Sequence, residues 1–323
     1  MQPQTSSPIQ PSAAVIALLQ TLYARHYRFM TVTPATHQRV NQRPENAWAN
    51  SLQDIFGWNR PFVTGTLEAA WLAQLQRHGL VVPAHDGWRS TIRVSSLPVG
   101  AHPEILLAHS AYPTNDTEAV FFGPDTYRFI HAMRQALPRL ARPPVRCVDI
   151  GTGTGAAALA LARCLPEAEI WGVDLNQKAL EIAAANAHAL ALPQVHFAHS
   201  NLLQALHGTF DLIVANPPYL VDPLQRTYRH GSGPLGAQLS LEIVEAACQR
   251  LAPGGTLMLY TGVAIVDGHD AFIAAVQPRL QARQMHYEYD EIDPDIFADE
   301  LMHPPYDQAD RIAAVWLQVQ NIA

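Results

Sequence analysis

The sequence has few of the features that would place it among disulfide-rich, zinc-binding or membrane proteins. Its three cysteines, Cys147, Cys164 and Cys248, are odd in number, far apart and without a Cys-x-x-Cys pair, so disulfides are not expected. None of the 15 histidines belongs to a His-Glu-x-x-His or comparable pattern, and we predict no structural metal. No apolar run approaches the roughly 18 residues that cross a bilayer.

Basic charge is missing from the beginning of the chain. Residues 1–11 are rich in Gln, Ser and Pro, and the apolar run that follows, residues 13–19, is short. We therefore expect residues 1–12 to form a flexible tail and not a signal peptide, with the cytoplasm as the location. The 323 residues, 48% of them hydrophobic, suffice for two domains.

Charge is divided unevenly along the chain. Residues 1–140 hold eleven arginines and no lysine against eight acidic residues, a net charge of +3, whereas residues 141–323 hold ten basic against twenty acidic residues, a net charge of −10. Binding a long nucleic acid requires a basic surface that neutralises phosphates. The acidic second half, and above all residues 287–310, disfavours an extended duplex contact, although that stretch is equally compatible with an ordinary solvated loop.

The most specific pattern is Asn-Pro-Pro-Tyr at residues 216–219, directly after the apolar run 210–215, a predicted buried strand. A planar amide or nucleobase amine is a poor nucleophile because its lone pair is delocalised, so methylating it requires two acceptors that hold its N–H groups. The Asn216 side-chain oxygen and the Pro217 carbonyl can serve, since consecutive prolines fix where that carbonyl points. Tyr219 offers a flat stacking surface. The alternative is a rigid strand-to-loop turn without chemistry.

A strand, a glycine loop and a helix occur in sequence about sixty residues earlier. The predicted strand 145–150 contains Asp149 and runs into Gly151-Thr-Gly-Thr-Gly155, followed by the alanine-rich run 156–162. Glycines let a backbone approach a ligand closely, but this spacing differs from the pyrophosphate fingerprint Gly-x-Gly-x-x-Gly. The next predicted strand, 170–174, ends in Asp174, where a carboxylate can accept both ribose hydroxyls. Capping the following helix is the alternative, a role that Asn176 fills equally well.

In this order and spacing, Asp149 to Gly155, Asp174 and Asn216 to Tyr219 resemble the class I S-adenosylmethionine-dependent methyltransferases. The group with the closest motif is the Asn-Pro-Pro-Tyr group, which includes release-factor glutamine methyltransferases and adenine-amine methyltransferases of RNA and DNA. The resemblance covers roughly residues 120–320. It implies an α/β fold with a doubly wound, mostly parallel, seven-stranded Rossmann-like sheet that ends in an antiparallel hairpin.

The resemblance also implies roles for single residues. It puts the methionine part of the cofactor S-adenosylmethionine against Asp149, Gly151 and Gly153, and the ribose on Asp174. The adenine would lie near Asn201, which stands where the family usually has an acid. The candidate cofactor-binding residues are Asp149, Gly151, Thr152, Gly153, Gly155, Asp174, Leu175, Asn201, Leu202 and Asn216. The candidate catalytic residues are Asn216, Pro217 and Tyr219.

The first part of the chain predicts a smaller α+β domain. Helices over 13–27 and 66–78 and strands near 88–94 and 104–109 suggest a winged-helix-like domain over residues 13–112 that binds substrate, a partner or a second copy. Residues 113–144 would connect it, through a helix over 127–137 capped by Asp125 or Thr126, to a catalytic domain over residues 145–323. In the glutamine methyltransferases this connection usually carries a Pro-Arg pair, whereas this chain has Pro124-Asp125.

The loop over residues 221–236 has the composition of a mobile lid, with arginines followed by Gly-Ser-Gly-Pro. It could clamp an anionic or polar substrate; an ordinary exposed loop with incidental arginines is the alternative. His230 is not needed as a general base, because transfer from a sulfonium gives a cationic nitrogen that can lose its proton to water afterwards. The candidate substrate contacts are Phe122, Pro218, Arg226 and Arg229.

The sequence therefore predicts an S-adenosylmethionine-dependent N-methyltransferase acting on a planar amide or amine. A protein glutamine, another protein nitrogen or a small molecule ranks above nucleic-acid adenine as the acceptor on grounds of charge. A cofactor-binding interaction protein is the alternative from a different class. The oligomeric state and the acceptor's identity stay open.

Overall fold

A computed structural model describes residues 9–322, so the predicted tail lies largely outside the described residues. The first part of the described chain contains three α-helices and two antiparallel hairpins. In chain order they are α1 (Ala13–Ala24), α2 (Pro34–Asn41), α3 (Ala69–Arg77), β1 (Val81–Ala84), β2 (Gly87–Ser90), β3 (Ile92–Leu97) and β4 (Ile105–Ser110). A 3₁₀ turn at Pro44–Asn46 and a π-helical turn at Gln53–Gly57 lie between α2 and α3.

The helices and strands predicted for this part agree with the structure in outline and differ from it in detail. The predicted strand 88–94 is divided, because β2 pairs with β1 while β3 pairs with β4. Helix α2 was not predicted, since it is polar and buries only His37, which leaves no apolar periodicity to detect. The winged-helix character of this part and the proposed domain boundaries stay predictions.

The remainder of the chain alternates strands and helices. Its elements are α4 (Pro124–Ala136), β5 (Arg146–Ile150), α5 (Ala156–Cys164), β6 (Glu169–Asp174), α6 (Gln177–Ala189), β7 (Val195–His199), β8 (Phe210–Ala215), α7 (Gln238–Arg250), β9 (Leu251–Val266), β10 (His269–Asp270), α8 (Ala271–Ala282), β11 (His286–Asp293) and β12 (Arg311–Gln320). No helix in the described range is long and apolar enough to cross a bilayer.

The strand order confirms the predicted class I methyltransferase fold. The main sheet runs β11-β12-β9-β8-β5-β6-β7, with the two-residue β10 added beside β9. Pairing is parallel from β9 through β7 and antiparallel for β12 and β11, which form the expected edge hairpin. Residues 253–255 lie within the bounds of β9, at the point where its pairing register with β8 shifts, between Phe210 and Leu212.

Two hydrophobic clusters cover the two faces of this sheet. Alternate residues of each strand face opposite sides, so that Leu212 and Val214 pack with α4 and α5, whereas Ile213 and Ala215 pack with α7 and α8. This double coverage explains why the sequence reads as continuous apolar runs in the strands.

The first part of the chain is fastened to the main sheet through α6. The side chain of Asn186, which is fully buried, accepts from the Ala108 N–H at 2.9 Å and donates to the Ala108 carbonyl at 3.2 Å. It also donates to the Thr154 carbonyl at 2.9 Å. Because Thr154 belongs to the glycine loop, one buried amide sets the position of strand β4 relative to that loop.

Candidate functional site

A cavity of about 820 Å³ opens at the carboxyl ends of the central strands, where ligands of doubly wound sheets bind. It is lined by the loops after β5, β6, β7 and β8 and by segments 112–121 and 225–232. Most predicted site residues line it: Asp149, Gly151, Thr152, Gly153, Asp174, Leu175, Asn201, Leu202, Asn216, Pro217, Pro218, Tyr219, Arg226 and Arg229. Within residues 9–322, no group of three or more His, Cys, Asp or Glu side chains could hold a metal ion.

The glycine loop is fastened to strand β6. The N–H groups of Gly151 and Thr152 both donate to the Val173 carbonyl, at 2.8 and 3.0 Å. A Cβ atom at Gly151 would meet nothing within 4 Å, so its backbone is open to a ligand. Gly155 differs, because it is the left-handed N-cap of α5, and a Cβ atom there would lie 3.2 Å from that of Ala183. Its role is to turn the loop into the helix beneath the cavity.

Asp149 is a buried carboxyl group at the cavity wall. Its Oδ2 accepts from the Thr152 hydroxyl at 2.7 Å and from the Ala158 N–H at 3.2 Å. Burial raises the pKa of Asp149 to about 7; the two hydrogen bonds oppose the rise, and the nearby Asp174 carboxylate adds to it. A cation in the cavity would therefore favour the ionised form of Asp149.

The Asp174 carboxylate joins the glycine loop to the start of α6. It accepts from the Gly153 N–H and from the Asn176 N–H, each at 2.9 Å, and burial nevertheless raises the pKa of Asp174. The cap of α6 is Asn176, whose side chain accepts from the N–H of Lys178. Asn176 therefore caps this helix, the role considered as an alternative for Asp174. Asp174 lines the cavity.

The segment after β7 contributes Asn201 and Leu202 to the same cavity. It is held next to the end of β6 by the Ser200 N–H, which donates to the Asp174 carbonyl at 3.0 Å. Leu202 has a left-handed backbone, with a φ of 49°, and is half-buried. An apolar side chain and an amide thus stand beside the ribose-site candidate Asp174.

The Asn-Pro-Pro-Tyr turn is rigidly supported from below. Burial first, then the charge on Asp125, raises the pKa of Tyr219 well above its usual value. Asp125 accepts from the Tyr260 hydroxyl at 3.1 Å and from Arg128 at 2.9 Å.

The prediction that Asp125 or Thr126 caps α4 is wrong, because the N-cap is Gly123, without a side-chain bond.

The loop over residues 221–236 is packed against this turn and is not an open clamp. Arg226 donates to the Asp222 carboxylate at 2.8 and 2.7 Å, and Arg229 donates to Glu300. Burial alone would raise the pKa of Asp222, but the hydrogen bonds from Arg226 outweigh it and lower that pKa. Both arginines line the cavity, yet their charges are already matched by carboxylates.

Several aromatic residues of the cavity were missed in the sequence. The ring of Phe121 stacks on Tyr228, with centroids 5.3 Å apart, and both residues line the cavity. Phe122, the predicted substrate contact, is instead 1% exposed and packs against the rings of His109 and Tyr127. Neighbouring residues of an extended segment point in opposite directions, so the prediction selected the wrong one of the two.

Comparison with known proteins agrees with this architecture. Residues 131–264 match the family model of the methyltransferase small domain. The chain is 38% identical over 156 residues to the release factor glutamine methyltransferase of Deinococcus radiodurans, covering 45% of this chain and 55% of that protein. It is 36% identical over 178 residues to the release factor glutamine methyltransferase of Escherichia coli, covering 52% of this chain and 58% of that protein.

A further relative is the ribosomal protein uL3 glutamine methyltransferase of Neisseria meningitidis, 36% identical over 126 residues, which cover 36% of this chain and 42% of that protein. The chain thus spans little more than half the length of the curated relatives it matches. The strand order is that of the class I methyltransferase fold, and residues 131–264 match the methyltransferase small domain. Within that class, the chain resembles the glutamine methyltransferases.

Proposed function

We propose that the protein is an S-adenosylmethionine-dependent N-methyltransferase whose acceptor is a planar nitrogen, with a protein glutamine side chain first in rank. The main support for this proposal is that Asn216–Tyr219, the glycine loop and Asp174 line the same cavity. The named relatives act on glutamine in a release factor or a ribosomal protein. A location in the cytoplasm is part of the same proposal.

The residues present suit the cofactor. Asp149 and the open backbone at Gly151 would hold its methionine part, since a carboxylate favours a nearby ammonium group. Asp174 would accept from the ribose hydroxyls, and Asn201 with Leu202 would bind the adenine through one amide and one apolar contact. When bound, the cofactor supplies an electrophilic methyl group.

The chain's own contribution to the reaction is to orient the acceptor. The Asn216 side-chain oxygen and the Pro217 carbonyl would each accept from one N–H of the acceptor nitrogen, and Tyr219 would stack on its planar group. Since no strong base is required, most of the rate enhancement would come from orientation and from the placement of partial charges. The Asp125 network beneath Tyr219 keeps that surface in place.

A neutral acceptor is favoured by the charges around the cavity. Arg226 and Arg229, the arginines of the 221–236 loop, are paired with Asp222 and Glu300, so neither offers a free charge to a phosphate. An adenine amine of RNA or DNA and a small-molecule nitrogen are the alternative acceptors. A salt titration distinguishes a nucleic-acid acceptor from a neutral one, because the affinity that comes from phosphate contacts falls steeply as the salt concentration rises.

The experiment that tests the proposal is incubation of the purified chain with methyl-labelled S-adenosylmethionine and a fractionated lysate. We expect label in the protein fraction, mapped by mass spectrometry to a glutamine, and none with an Asn216→Ala variant. Label in nucleic acid would identify the adenine alternative. Cofactor binding without label in any fraction would favour the interaction protein.

A further inference from the structure

His230 has a fixed tautomer. Its Nδ1 accepts a hydrogen bond from the backbone N–H of Asp222, with the two nitrogens 3.1 Å apart. A ring nitrogen that accepts carries no proton, so the proton of the neutral ring is on Nε2. Asp222 is itself held in place, because its carboxylate is 2% exposed and bonded to Arg226. The loop therefore presents His230 as an Nε2–H donor.

Backbone contacts position His230 beside the Asn-Pro-Pro-Tyr turn. Leu220 and His230 form a parallel bridge, with the Gly231 N–H donating to the Leu220 carbonyl at 2.8 Å. A Cβ atom at Gly231 would lie 2.7 Å from the Pro218 oxygen and 2.6 Å from the Tyr219 Cα. His230 is half-buried and lines the cavity. Its ring thus belongs to the acceptor side of the cavity.

The side chains just before His230 in the loop donate their hydrogen bonds to other groups of the protein. Residues 226–230 all line the cavity, and four of them donate to groups of the protein: Arg226 to Asp222, Thr227 to the Thr117 carbonyl, Tyr228 to the Thr114 carbonyl and Arg229 to Glu300. The Nε2 of His230 has no hydrogen-bond partner within residues 9–322. Among these five side chains, it is the one whose donor has no partner in the described chain.

An amide acceptor brings one polar group more than an alkyl amine does, its carbonyl oxygen. Asn216 and Pro217 can accept only from its N–H groups, so that oxygen would be left without a partner, which costs free energy when the group is taken out of water. We propose that His230 is a specificity-determining residue whose Nε2–H donates to the carbonyl oxygen of a carboxamide acceptor. This proposal rests on the function proposed above and names the residue that would recognise the carbonyl oxygen of its first-ranked acceptor, a glutamine side chain.

The tautomer can be read directly. In the full chain labelled with ¹⁵N-histidine, long-range ¹H–¹⁵N spectra distinguish the two neutral tautomers and the charged ring, and His230→Gln identifies the signals of this residue. We expect a protonated Nε2 and an unprotonated Nδ1. A proton on Nδ1, in either the neutral or the charged ring, would overturn the proposal whatever the chain methylates.

The donor role is tested by kinetics on the protein acceptor found by labelling. We expect His230→Phe to raise KM roughly tenfold or more with little change in kcat or in cofactor affinity, since one hydrogen bond to the acceptor is lost. His230→Gln should restore most of the loss, because its side-chain amide can donate. His131→Phe, at an exposed position of α4, is the matched control.

Two failures are distinguishable. An unaltered chain that transfers no methyl group to protein defeats the proposed function and this proposal with it. Transfer with a KM that His230→Phe leaves unchanged, or with Gln no better than Phe, defeats the role of His230 alone.

Discussion

Gly262 in strand β9 faces the ring of Tyr219 so closely that a Cβ atom at position 262 would lie 2.3 Å from the Tyr219 Cδ2. The two residues are 43 positions apart in sequence and meet because β8, which ends just before the Asn-Pro-Pro-Tyr turn, pairs in parallel with β9. The ring of Tyr219 can therefore occupy its place only because position 262 has no side chain.

Replacing Gly262 with Ala should displace the Tyr219 ring. We expect the free energy of unfolding to fall by about 1–3 kcal/mol, since the added methyl group overpacks a buried site, and methyl transfer to fall with it. Denaturant unfolding and turnover measure the two effects. In a Tyr219→Ala background the same substitution should cost much less, and an equal cost in both backgrounds would place the strain elsewhere.

Replacing Asn216 with Ala should separate binding from chemistry. The substitution removes one of the two proposed acceptors for the nitrogen while leaving Asp149 and Asp174 intact, so we expect cofactor affinity to stay nearly unchanged and turnover to fall by about a hundredfold or more. Calorimetry and initial rates measure these quantities. Asn201→Ala is the contrasting variant, expected to weaken cofactor affinity. Substantial turnover by Asn216→Ala would contradict the assigned mechanism.

The raised pKa of Asp149 predicts a pH-dependent stability in the absence of ligand. The pKa is about 7 in the folded chain and close to the ordinary aspartate value in the unfolded chain, so between those values the folded state binds more protons. Stability should therefore decrease as pH rises from about 4 to about 7, by at most ~1.4 kcal/mol per pH unit. Asp149→Asn should show a smaller decrease, since the raised pKa of Asp174 contributes a decrease of the same sign. Parallel stability curves for variant and wild type would refute the assignment. Asp86→Asn, in an exposed turn, is the control.

The buried ion pair of the 221–236 loop should matter more than an exposed one. Asp222→Asn leaves the Arg226 charge without its carboxylate, and we expect a loss of about 3 kcal/mol in the free energy of unfolding. Lys178 and Asp116 form a pair whose side chains are 46% and 56% exposed, so Lys178→Met should cost less than ~1 kcal/mol. Chemical denaturation of both variants checks the comparison, and similar losses would contradict it.

The central strands could be predicted from sequence because their apolar runs are buried on both faces of the sheet. The predicted bounds of β8 agree with the structure, and those of β5 and β6 differ from it by one residue at the start. Helix α2 could not be found in this way, since its exposed polar surface carries no periodic signal. Pro253 and the glycines that follow it have the composition of a turn, and they lie within β9 where its pairing with β8 is interrupted, between Phe210 and Leu212.

The sequence alone was enough to locate the glycine loop, Asp174 and Asn216 to Tyr219. Each follows a short apolar run that predicts a buried strand, so each could be placed at the end of a strand. Tertiary structure alone decided which charges are free and which aromatic rings line the cavity. Arg226 and Arg229 looked available, but Asp222 and Glu300 neutralise them. Ion pairing and side-chain direction depend on neighbours that are distant in sequence. The burial of a strand, in contrast, depends on the hydrophobicity of its own residues.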